Sequence, residues 1–154
     1  MARLEDIPLS ERKMMEELDC SGFEGRRPWV RGPKLSGRRV ALVSTAALNL
    51  RSDAAYQRDD KGFRIIPGDV GPGDVVMSHS SVNFDRTGFQ QDLNVCFPLQ
   101  RLHELAAEGG IGSVARFHFT VSGAAHPLEL ESSACSIAAT MRADDVDTVL
   151  LVPI

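Results

Sequence analysis

No stretch of this chain approaches the roughly 18 consecutive apolar residues that a membrane-spanning helix needs, so the sequence predicts no span. The start, MARLEDIPLSERKMMEEL, is broken by charge throughout and has no apolar core of a secretory signal, which makes the cytoplasm the expected location. Net charge is only -4, too slight and of the wrong sign to recommend a nucleic-acid partner. Cysteine is sparse: Cys20, Cys96 and Cys135 are odd in number and scattered, and indicate neither a disulfide framework nor a zinc site. No pair of histidines or cysteines has metal-ligand spacing, and no metal is expected. The glycine-rich GDVGPGD, residues 68–74, lacks both the Lys-Ser/Thr sequel of a P-loop and a GxGxxG pattern, so it reads as turns.

What remains is an ordinary globular composition, 43% hydrophobic and 25% charged over 154 residues, enough for one domain with a real core. We divide it into an N-terminal helix and extended arm, residues 1–36, and an α/β domain, residues 37–154. In the arm, Ser10 is placed to cap a short helix with Met14, Met15 and Leu18 on one face. Arg26, Arg27 and Arg31 then surround Trp29 in an extended strap expected to bury that tryptophan, with an anion or partner site as the alternative.

The unbroken run RVALVSTAAL predicts a parallel strand over residues 40–43, buried on both faces, followed by helix-forming alanines. A short strand over residues 63–66 stops at Pro67, and another over residues 74–77 ends at Ser78. Pro98 suits the first turn of a helix whose face is Leu99, Leu102, Leu105 and Ala106, ending at Gly109-Gly110; His103 lies off that face. RFHFTV, residues 116–121, alternates like a strand. A helix over residues 131–142 follows from the spacing of Ala134, Ile137, Ala138 and Met141, and TVLLV, residues 148–152, reads as a central buried strand. Strands alternating with helices imply an α/β three-layer sandwich around a mostly parallel, Rossmann-like sheet.

In such sheets ligands gather beyond the carboxyl ends of the strands. Ser44-Thr45, Ser78-His79-Ser80 and Pro153-Ile154 all arrive there. The segment that follows is dense in hydrogen-bonding groups interleaved with Phe84, Phe89 and Leu93, and reads as an ordered working loop. His79 either orients a substrate or caps the strand edge. Asn83, Asp85, Asp92 and Asn94 are candidate substrate or partner ligands, or else hold the loop through bonds to its own backbone. Cys96, in the apolar context VCF, and Cys135, beside a helix face, are expected to be buried and inert.

The runs GRRVALVSTAAL, RIIPGD, SHSSVNFDRTGFQQDLNVCFPLQRLHELAAEGGIGSVARFHF and RADDVDTVLLVP resemble the selenoprotein B subunit family of glycine, sarcosine, betaine and D-proline reductases. The resemblance covers residues 37–154. It implies reductive cleavage of a carbon–nitrogen bond at the α-carbon of a small amino acid or betaine. A selenolate or thiolate attacks that carbon, a pyruvoyl group on a partner subunit activates the amine, and the selenoether passes on for reduction. The sequence departs from the family's Ser-Phe-Met-Gly pattern at Thr120-Val121-Ser122-Gly123, which leaves the substrate open.

By the same resemblance no catalytic residue is expected within the chain. The selenocysteine or cysteine would fall just after Ile154, where a UGA codon read as a stop would end it. The expected partners are other reductase-complex subunits or a redox protein. A noncatalytic paralogue or assembly subunit, keeping the fold and the partner surface, is the alternative. A cysteine-dependent enzyme using Cys96 is a third reading.

Overall fold

The computed structural model describes residues 3–17, 19, 25, 29–80, 86–123 and 126–154. The chain divides into two compact units, Met1–Arg31 and Gly32–Ile154.

In the first unit, helix α1 (Leu9–Glu16) follows a single turn at Leu4–Asp6, and Pro8, not Ser10, holds its N-cap position with no side-chain cap. Leu18 and the side chain of Met14 lie outside the described residues, while Met15 is exposed. Trp29 is 81% exposed, against the expected burial. Both apolar clusters of the chain are drawn from residues 40–152, so this unit forms no core of its own for the ring to enter, among the described residues.

The second unit is α/β with a mixed, mostly parallel sheet centred on β1 (Arg39–Ser44). On one side β1 pairs in parallel with β7 (Thr148–Val152), from Val40↔Thr148 to Ser44↔Val152. Its other side is taken first by the two-residue β5 (Ser113–Val114) and then by β6 (Phe117–Val121), both parallel. β3 (Phe63–Pro67) closes that side antiparallel to β6, which accommodates the proline at a strand end.

Successive residues of β1 point to opposite faces. Val40 and Leu42 enter one cluster, with Leu99 and Leu102 of α3 (Leu99–Ala107); Ala41 enters another, with Ile137 and Met141 of α4 (Glu131–Ala143). β6 is buried over four consecutive residues, because clusters form on both of its faces and strands flank it. Burial therefore does not alternate along β6, although its sequence does. Gly109, at φ +75°, ends α3 in the left-handed conformation that suits glycine after a helix.

Four expectations are overturned. The alanines after β1 do not start a helix. Ala47 sits at φ +50° and its N–H bonds to Val121 O at 3.2 Å, turning the chain into β2 (Leu48–Leu50), so tertiary bonds override helix propensity. β2 pairs antiparallel with β4 (Val75–Met77) in a separate two-stranded ladder, so β4 is no part of the parallel sheet. β7 is not central: among the described residues it pairs only with β1, and Val149, Leu150 and Leu151 are 41%, 40% and 68% exposed. The buried stripes of the helices are narrower than their spacing suggested. Leu105, Ala134 and Ala138 are exposed, as is Cys135, because α4 reaches the core only at Ile137 and Met141.

Candidate functional site

At the carboxyl end of β1 the hydroxyls are committed to backbone. Ser44 is fully buried, and its Oγ donates to Cys96 O at 2.8 Å while accepting from Ala46 N–H at 3.2 Å. This seats residues 93–97 against the strand. Thr45 Oγ1 accepts from Ile154 N–H at 2.8 Å and lies 3.2 Å from Ile154 O. Ser78 reaches the same end through its N–H to Ala47 O at 3.0 Å, and its Oγ donates to Asn49 Oδ1 at 2.6 Å. Asn49 and Tyr56, which the sequence reading passed over, complete this network with Thr120. Tyr56 Oη lies 2.5 Å from Thr120 O, and Thr120 Oγ1 donates to Leu48 O. Burial raises the Tyr56 hydroxyl above its ordinary pKa and keeps it a donor.

His79 is half-buried, and its main-chain carbonyl accepts from Arg86. Burial first, and then the Arg86 charge, lowers the imidazole pKa and favours the neutral ring. Ser80 is exposed, and Asn83 and Asp85 lie outside the described residues.

Open space occurs elsewhere. A cleft of about 640 Å³ lies between the turns that follow β3 and the segment running from α2 (Thr87–Gln91) into α3. Its volume falls in the range of small-molecule sites, about 300–1,000 Å³. Val70, Pro72, Leu93, Phe97 and Leu99 form its apolar walls. Asp92 and Asn94 bring candidate side chains into its lining, while Ser44, Thr45, Ser78, His79 and Ser80 do not contribute to it. Gly68, Asp69, Gln91, Gln100 and His103 are additions that only the fold reveals.

Asp92 organises one wall. Its Oδ1 accepts from Asn94 N–H at 2.9 Å and from Asn94 Nδ2 at 2.8 Å, and these bonds hold the carboxyl below its ordinary pKa. His103 organises the other. Its Nε2 lies 2.7 Å from Gly68 O, and since a carbonyl only accepts, Nε2 carries the proton of this hydrogen bond. Gly68 is required by close approach, since a Cβ there would stand 2.6 Å from Ala115 O. A second depression, about 400 Å³, adjoins this one through Gly68, Asp69 and His103.

Beneath the site, two groups set the geometry. His118 is fully buried, and its Nδ1 accepts from Leu42 N–H at 3.0 Å, filling the gap in the ladder between β5 and β6. Asp144, 7% exposed, accepts from Arg116 N–H at 2.7 Å and from the guanidinium groups of Arg39 and Arg116, each at 2.8 Å. Burial works to raise its pKa, but the two arginines outweigh it and hold the carboxylate ionised.

The thiol of Cys96 is fully buried and pushed up to about 11, chiefly by desolvation, so it is not a thiolate near neutral pH. No group of three or more histidine, cysteine or acidic residues is positioned to hold a metal, among the described residues. Nor is any helix among them long and apolar enough to cross a membrane.

Over 121 residues, 77% of this chain, the sequence is 31% identical to D-proline reductase subunit gamma of Acetoanaerobium sticklandii. The matched part is 49% of that protein, so the chain spans about half the length of the curated relative it matches. No protein-family model matches the chain, and no solved structure matches it.

Proposed function

We propose that this chain is a subunit of a multi-subunit reductase that cleaves a carbon–nitrogen bond of a small amino acid, with D-proline the first substrate to test. The observation that carries the reading is the identity to the gamma subunit of D-proline reductase over 77% of the chain. α3 and α4 on opposite faces of β1 support the finer description of a three-layer, Rossmann-like domain.

In this reading a selenolate or thiolate, with a pyruvoyl group on another subunit, supplies bond cleavage when the complex is assembled. Cys96 does not fit the nucleophile's part, because its thiol is buried and protonated. The contribution of the present residues is to position. Ser44 seats residues 93–97 on the strand end, which sets Asp92 and Asn94 in the cleft. Phe97, fully buried, anchors the same segment from below.

A chimera tests the proposal: residues 32–154 replace the matched half of the relative's gamma subunit, and the complex is assayed for opening D-proline to 5-aminopentanoate. Assembly with turnover supports the reductase reading. Assembly without turnover supports the alternative, a subunit that keeps the fold and the partner surface alone. A chimera that folds but does not co-purify with the other subunits overturns both.

A further inference from the structure

The main-chain groups of β7 alternate between its neighbour and its outer edge. Val152 O accepts from Thr45 N–H at 3.2 Å, so Val152 is directed to β1. By the alternation of a strand, Leu150 and Thr148 face β1 as well. The N–H and C=O groups of Val149 and Leu151 therefore point the other way, to the edge that no strand pairs among the described residues. Solvated edges are commonly blunted by lysine or proline, and the five residues of β7, TVLLV, contain neither and carry no charge.

This edge is its own complement. An antiparallel copy centred on Leu150 sets Val149 opposite the second copy's Leu151, and each such pair exchanges both of its main-chain bonds. All the outward groups of Val149 and Leu151 are then satisfied at once. Beyond them Asp147 falls opposite Pro153, whose nitrogen has no hydrogen to leave unpaired. A parallel copy in register would instead set Asp147 beside Asp147, like charge against like. Val149 and Leu151 pair with Ala41 and Val43 of β1 and share their face of the sheet, the α4 face. Rotation about an axis normal to the sheet returns that face to the same side, so these exposed side chains, 41% and 68% accessible, cover those of the copy.

We propose that the chain forms a closed two-fold dimer by antiparallel pairing of β7 with β7 of a second copy, centred on Leu150, so that one sheet runs through both. Each copy contributes one such edge, and association ends at two. The inference goes beyond the reductase reading, because it rests on β7 alone.

Disulfide trapping in the full chain tests this, in a background carrying Cys20→Ser and Cys135→Ser with the fully buried Cys96 retained. Residues opposite one another in a non-hydrogen-bonded antiparallel pair lie about 4.5 Å apart at Cα, within disulfide reach. Leu150→Cys should therefore give a covalent dimer under mild oxidation. The two copies of residue 149 would stand about 8 Å apart, beyond that reach, and Val149→Cys should cross-link at least about tenfold more slowly. Equal rates for the two variants overturn the proposal. Sedimentation equilibrium of the unsubstituted chain decides even if neither variant folds. A monomer at every concentration, which would leave the edge to a foreign strand, or growth beyond the dimer, overturns the proposal too. Failure here leaves assembly and turnover of the chimera unaffected, so the two readings fall separately.

Discussion

His118 stands where the sheet has no main-chain acceptor for Leu42 N–H, and only a neutral imidazole can take that bond through Nδ1. Desolvation, with a smaller contribution from His103, lowers its pKa from 6.5 to about 4. The unfolded chain therefore binds a proton near pH 6.5 that the folded chain refuses until about pH 4. Stability from this group is complete above pH 6.5 and declines as pH falls from 6.5 to about 4. At ~1.4 kcal/mol per unit, the total loss is about 3 kcal/mol. Urea titrations across this window should show the slope, and His118→Gln should flatten it. If that variant does not fold, the ring resonances of the wild-type protein decide: protonation of His118 near pH 6.5 would exclude the account. Asp144 acts in the same direction at lower pH, since its depressed pKa makes its contribution vanish only as pH falls below the ordinary carboxylate range.

Among the elements, β7 carries the clearest consequence. Its second edge, unpaired among the described residues, and its exposed Val149, Leu150 and Leu151 form an uncharged apolar strand, the kind that invites pairing with another chain. We expect the isolated chain to self-associate with rising concentration, and Leu151→Lys to suppress this in sedimentation velocity. The melting transition should barely move, because a substitution at a 68% exposed position changes stability by about 0.5 kcal/mol or less. Identical sedimentation of variant and parent would count against a role for this edge. The turn at Ala47 shows the opposite balance between local and tertiary forces. An alanine pair that favours a helix in isolation is drawn into a reversal by bonds from Ala46 N–H to Ser44 Oγ and from Ala47 N–H to Val121 O.

At the scale of the whole molecule, every buried apolar residue of the two clusters belongs to Gly32–Ile154. A chain beginning at Gly32 should therefore keep a cooperative unfolding transition. Loss of cooperativity in calorimetry of that fragment would show that Met1–Arg31 is needed for the fold. Most of the strands and helices were legible in the sequence, because RVALV, FRIIP and the Leu99–Leu102 spacing report burial and period directly, and these depend only on neighbours along the chain. The bond of the Asp92 side chain to its own loop's backbone was one of the two roles the sequence allowed, since it is local. What only the tertiary structure decided is which strand meets which and what each polar group touches. Leu42 and His118 are 76 residues apart, Arg39 and Asp144 are 105 apart, and the cleft joins Gly68 to His103 across 35. No periodicity encodes such partners, because a strand's edge position and a side chain's hydrogen-bond mate are set by packing across the sheet, after the local elements have formed.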